Sequence, residues 1–123
     1  MRNDYANLTL LYVEDDEIIR QNAVEYLSNY CQKVFWAKDG QEALLVYKDK
    51  KPNIIITDIE MPKLNGLEMA KRIRKKDKKT PIIIATAFTE KEYLLQAVEL
   101  QLVKFHHVLP SQKQYLETYL VKS

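Results

Sequence analysis

The chain alternates between short runs of branched aliphatic residues and longer stretches where apolar residues return every three or four positions. Residues 8–13 open the series. They are apolar on both faces apart from Thr9, as expected of a strand covered from two sides. Asp16 then stands where a helix cap belongs, and Ile19, Ala23, Leu27 and Tyr30 recur at helical spacing. Residues 34–37 predict a second short strand. Asp39-Gly40 predicts a turn before a helix over residues 42–50. Residues 54–57, Ile-Ile-Ile-Thr, are the most β-branched stretch and predict a third strand. Asn65-Gly66 breaks the chain, and Leu67, Ala70 and Ile73 mark a third helix. Pro81 opens a fourth strand over residues 82–85. Leu94, Leu95, Val98 and Leu102 mark a fourth helix. Residues 104–109 predict a fifth strand, and Tyr115, Leu116, Tyr119 and Leu120 a last helix.

Strands that alternate with helices imply right-handed crossovers and a parallel sheet with helices on both faces. At 123 residues the chain is too short for an eight-stranded barrel and fits one domain, residues 1–123. The expectation is therefore an α/β, doubly wound, five-stranded parallel sheet. Composition changes little: 46% apolar and 29% charged residues are ordinary for a globular domain. A net charge of +2 does not argue for direct nucleic-acid binding. The single cysteine, Cys31, precludes an internal disulfide, the first seven residues carry no secretory pattern, and no apolar run spans a membrane. A cytoplasmic protein is expected.

Ligands of such sheets bind beyond the carboxyl ends of the strands. The first strand ends in Glu14-Asp15-Asp16-Glu17, the third in Asp58 followed two residues later by Glu60, and the fourth in Thr86. If the first, third and fourth strands are neighbours, Glu14, Asp15, Asp58 and Glu60 converge. Crowded carboxylates raise one another's pKa, and a hard divalent cation relieves them. Mg²⁺ takes one or two carboxylates and phosphate oxygens, so the cluster predicts a metal with a phosphate partner. Asp58, on the strongest strand, is the nucleophile candidate, and Thr86 a hydroxyl for a phosphoryl oxygen. Plainer readings compete. Asp15-Asp16 before a helix suits capping, and Asp58 near Pro62 suits a turn. Neither explains why the acids gather at one end while the lysine runs at residues 48–51 and 75–79 fall at the other, as solvated loops. His106-His107 point to opposite faces of a strand and cannot easily share an ion. Cys31 and Trp36 suit core or half-buried packing, and the eight tyrosines form no stacking platform.

Over nearly its whole length the chain resembles the receiver domain of bacterial response regulators. The matching text is Leu10-Leu11-Tyr12-Val13-Glu14-Asp15-Asp16-Glu17, Ala37-Lys38-Asp39-Gly40-Gln41-Glu42-Ala43-Leu44, Ile55-Ile56-Thr57-Asp58-Ile59-Glu60-Met61-Pro62 with Asn65-Gly66-Leu67-Glu68, and Pro81-Ile82-Ile83-Ile84-Ala85-Thr86-Ala87. The resemblance implies a flavodoxin-like fold with strand order 2-1-3-4-5. It implies Asp58 as phosphoacceptor, Asp15 binding Mg²⁺ directly and Glu14 through water, and the Glu60 carbonyl completing the protein ligands. Thr86 would be the switch hydroxyl. The implied donor is a phosphohistidine on a sensor histidine kinase or phosphotransfer protein. The implied output is a changed surface on the fourth helix, fifth strand and fifth helix, read by a downstream protein or output domain, with a homodimer through the last two helices left open. Such a domain catalyses its own phosphorylation and dephosphorylation and is not an enzyme with a diffusing substrate.

One position departs from the family. A lysine followed by proline normally ends the fifth strand and bonds the phosphoryl group. Here Phe105-His106-His107-Val108-Leu109-Pro110 places Leu109 or Val108 there, Lys104 comes several residues early, and the aromatic switch position falls on Phe105 or His106. Losing a charge-assisted hydrogen bond costs about 1.5–3 kcal/mol, so slower phosphorylation or weaker switching is expected. A degenerate receiver that binds partners without phosphorylation is the alternative. A metal-dependent aspartyl-phosphate phosphatase fits less well, because its acid-x-acid pattern belongs on the first strand and here lies on the third.

Overall fold

The computed structural model describes residues 6–58 and 61–84. Within them run β1 (Thr9–Val13), α1 (Glu17–Ser28), β2 (Lys33–Ala37), α2 (Gly40–Lys50), β3 (Ile54–Thr57), α3 (Gly66–Arg74) and β4 (Ile82–Ile84). The strands form one parallel sheet in the order β2-β1-β3-β4. Branched aliphatics build it because the pleat presents each side chain to a packed layer. Leu10, Tyr12, Ile54 and Ile56 face α1 and pack with Ala23, Leu27 and Cys31. Leu11, Val13 and Ile55 face the other way, onto Ala43 of α2 and Met69, Ala70 and Ile73 of α3. Helices thus cover both faces, and the central strands β1 and β3 are packed on both sides, as their near-continuous apolar text requires. The fourth and fifth helices and the fifth strand expected from the sequence lie outside the described residues.

Each helix starts on a side-chain cap. Asp16 Oδ1 accepts from Ile19 N at 2.9 Å, Asp39 Oδ1 from Glu42 N at 2.8 Å, and Asn65 Oδ1 from Glu68 N at 2.9 Å. One boundary corrects the sequence reading. Asp39-Gly40 is not a free-standing turn but a cap followed by the first helical residue, and the break at Asn65-Gly66 is likewise a cap and the start of α3. Neither glycine has a positive φ. Both are needed for space. A Cβ on Gly40 would collide with the backbone of Leu64, and one on Gly66 with the carbonyl of Asp58. These are the chain's two glycines, and both hold the β3–α3 loop against its neighbours. Trp36 is half-buried, at 49% exposure, within the core or half-buried packing expected of it. Cys31 is buried, and burial pushes its thiol up to about 11, in keeping with packing.

The lysine runs lie where α2 and α3 end, at the end of the sheet opposite β1's carboxyl end. That end is tied by Asp77. Its carboxylate accepts from Tyr47 Oη and Thr80 Oγ1, each at 2.5 Å, and from the backbone N–H of Lys79 and Thr80 at 2.9 and 3.0 Å. Burial opposes ionisation of Asp77, but the bonds from Thr80, Tyr47 and Lys79 outweigh it and hold the carboxyl well below the usual range. Tyr47 is pushed up to about 12 by burial and by this bond. Asp77→Ala should cost about 2 kcal/mol in urea unfolding at neutral pH, since water replaces only some of the bonds. A depressed carboxyl contributes stability above its unfolded value near 4 and loses it as pH falls toward the folded value. The gap between wild type and Asp77→Ala should therefore be full at pH 6 and shrink steadily below about pH 4.

Candidate functional site

The register of the central strands places the acidic groups. Val13 pairs with Thr57 in the β1–β3 ladder, so Glu14 and Asp58 form the next rung. Adjacent strands lie about 4.8 Å apart, which brings those residues into side-chain reach. Both are held by backbone bonds that prolong the ladders: Glu14 N donates to Ala37 O at 3.1 Å, and Asp58 N to Val13 O at 3.0 Å. Asp15 follows at the corner where the chain turns into α1. One carboxylate oxygen each from Glu14, Asp15 and Asp58 lie within 4.8 Å of one another. Asp16 does not join them; it serves as the α1 cap. Of the residues expected at the site, Glu14, Asp15 and Asp58 are brought together. Glu60, Thr86 and the segment from Lys104 to Pro110 lie outside the described residues.

The electrostatics follow from this crowding. Glu14 is 2% exposed, and its Oε2 accepts from Asp16 N at 3.1 Å. Its pKa is raised to about 7, first by burial, then by the bond with Asp15 and the charges of Asp58 and Asp15, against the opposing Asp16 N–H. The phenol of Tyr12 is also driven up, by burial and by Glu14 and Asp58. The donor set is all oxygen, anionic and strand-mounted. It fits a hard divalent cation such as Mg²⁺, whose charge would offset the repulsion, and it lacks the nitrogen or sulfur donors that zinc favours.

Several supporting residues escaped the sequence reading. Thr57 is fully buried and donates from Oγ1 to Asp58 O at 2.8 Å. Gly66 abuts that same carbonyl. Gly40 N donates to Leu64 O at 2.9 Å, fixing the loop that follows Asp58. Arg20, 8% exposed, sends Nη1 to Glu14 O at 3.0 Å. Its sequence signal was present: position 20 falls in line with Ala23 and Leu27, the other buried positions of α1.

Comparison with known proteins agrees with the fold. The response regulator receiver domain family model matches residues 10–107. The chain is 34% identical over 91 residues to a probable transcriptional regulator of Porphyridium aerugineum, covering 74% of this chain and 38% of that protein. It is 33% identical over 103 residues to an uncharacterized response regulatory protein of Staphylococcus epidermidis, covering 81% and 38%. The chain thus spans about two-fifths of the length of these relatives. Among solved structures, the N-terminal domain of an uncharacterized protein from Wolinella succinogenes superposes with a TM-score of 0.62 at 42% identity, covering 76% of this chain and 75% of that one. The chemotaxis protein CheY4 of Vibrio cholerae gives a TM-score of 0.71 at 26% identity, covering 76% and 98%. No helix among the described residues is long and apolar enough to cross a membrane.

Proposed function

The chain belongs to the response regulator receiver domain family of two-component signalling, and from that premise we propose that Asp58 accepts a phosphoryl group from a phosphohistidine donor beside a bound Mg²⁺. The observation that carries this reading is the meeting of the Glu14, Asp15 and Asp58 carboxylates at the shared tip of β1 and β3. An Asp58 carboxylate oxygen attacks phosphorus in line, an acyl phosphate bond forms, and the phosphorus–nitrogen bond of the donor breaks. The imidazole leaves with that electron pair and its ring ends neutral, the second nitrogen keeping its proton. The ion supplies charge neutralisation for the transferring phosphoryl oxygens. Asp15 would hold it directly, Glu14 through water and Glu60 through its carbonyl, while Thr86 would donate to a phosphoryl oxygen. The backbone bonds at Asp58 N and O keep the nucleophile from turning away while charge builds beside it. The donor would be a sensor kinase or phosphotransfer protein, and the receiving surface a downstream protein or output domain.

Phosphoryl uptake from acetyl phosphate, followed by intact-mass spectrometry, tests the reading. Uptake is expected with Mg²⁺ and should fall below detection with EDTA; equal uptake in both would remove the metal from the account. The missing lysine adds a second expectation. Leu109→Lys should raise the uptake rate by about tenfold or more, the equivalent of one charge-assisted hydrogen bond of about 1.5–3 kcal/mol. Equal rates would mean that another group already fills the lysine's place.

A further inference from the structure

Arg20 is a buried cation that the phosphoacceptor reading does not use. It lies on the covered side of α1, 8% exposed, and among the described residues no carboxylate lies within ion-pair distance of it. A buried guanidinium without an ionic partner is costly, so its contacts matter. It makes two that are specific. Nη1 donates to the Glu14 carbonyl at 3.0 Å, and the guanidinium carbon stands 4.5 Å from the centroid of the Trp36 ring. A planar fork can stack and donate in the same pose, which a lysine ammonium cannot.

The place of that bond is informative. The Glu14 carbonyl belongs to the peptide joining Glu14 to Asp15, the two β1-side acids of the site. Ladder bonding ends one atom group earlier, at Glu14 N, and helical bonding begins only with Arg20 N to Asp16 O at 2.9 Å. Between them the corner is held by Arg20 to the Glu14 carbonyl and by Asp16 N to Glu14 Oε2. Trp36 backs the guanidinium from β2, where it sits beside Tyr12 in the register.

We propose that Arg20, braced by Trp36, is a positioning residue for divalent-cation binding: it fixes the Glu14–Asp15 peptide so that both carboxylates meet Asp58. The inference rests on the metal reading above. Its sign separates it from simple electrostatics. A cation this close to an acidic pocket repels a second cation, so charge alone predicts that removing it tightens Mg²⁺ binding. Positioning predicts the reverse.

Calorimetric titration of the metal-free protein with MgCl₂ decides between them, with circular dichroism confirming that each variant is folded. Arg20→Met should raise the Mg²⁺ dissociation constant about tenfold, the usual scale for losing a group that orients ligands. Arg20→Lys keeps the charge and should recover only part of that loss. Trp36→Leu leaves Arg20 in place without its brace and should weaken binding a few-fold. Trp36 is the chain's single tryptophan, so Mg²⁺ should change wild-type emission and leave that of Arg20→Met flat. Should Arg20→Met fail to fold, Arg20→Lys and Trp36→Leu carry the decision. Wild-type binding with unchanged or tighter binding in the variants overturns the role of Arg20 alone. No Mg²⁺ binding by the wild type overturns the metal reading and this inference with it.

Discussion

Asp58→Asn is expected to take up no phosphoryl group from acetyl phosphate under conditions that label the wild type completely. An amide oxygen is a poor nucleophile, and among the described residues no other carboxylate at the site is mounted in the same way. Glu14 is buried with Oε2 engaged by Asp16 N, and Asp15 stands past the end of the β1 ladder. The same substitution should raise the melting temperature of the metal-free protein, because it removes one of three carboxylates that repel one another. The two results together exclude misfolding as the cause of lost labelling. Labelling of the variant at Asp15 or Glu14, found by peptide mapping, would show that the acceptor is not unique.

Gly66→Ala should be nearly as damaging, although it adds only a methyl group. The new Cβ meets the Asp58 carbonyl and Thr57 Oγ1, and neither can yield freely. Thr57 is fully buried in β3, and the Asp58 carbonyl accepts its hydroxyl. Helix α3 or the strand end must shift, at a cost of about 3 kcal/mol, the upper part of the usual range for overpacking. Asp58 moves with the strand end, so the phosphorylation rate should fall at least tenfold, as small misplacements of reacting groups do. Lys71→Ala, on the exposed side of the same helix, should change stability by no more than about 0.5 kcal/mol. Urea midpoints and labelling rates check both halves. Wild-type values in Gly66→Ala would mean that the loop is looser than its contacts imply.

Much of this architecture could be read from periodicity alone. Residues 8–13 and 54–57 lack a polar face because both of their faces are packed, and the structure gives them the centre of the sheet. The capping role of Asp16 was legible because a cap is a local bond. The convergence of Glu14, Asp15 and Asp58 followed from strand ends and alternation, since a parallel register carries adjacent strand tips to one place. What escaped the reading depends on distant partners. Gly40 suits a turn and Gly66 a chain break; their reason is the backbone of Leu64 and Asp58, far along the chain or across a loop. Arg20 interrupts an apolar stripe, yet its helix position marks it as buried. Ile18, by contrast, is 72% exposed despite its apolar side chain, because it falls outside that stripe. Trp36 suits half-buried packing, and its partner among the described residues is the Arg20 guanidinium stacked on it. Glu60 and Thr86, the remaining parts of the proposed site, lie outside the described residues.

Crystals grown with Mn²⁺, which stands in for Mg²⁺ and scatters anomalously, offer the most direct trial of the shared cation. One anomalous peak is expected at the tip of β1 and β3, in contact with carboxylate oxygens of Asp15 and Asp58 and one water away from Glu14. Saturating Mn²⁺ with no peak there, or an Asp58 side chain turned from Asp15, would contradict it.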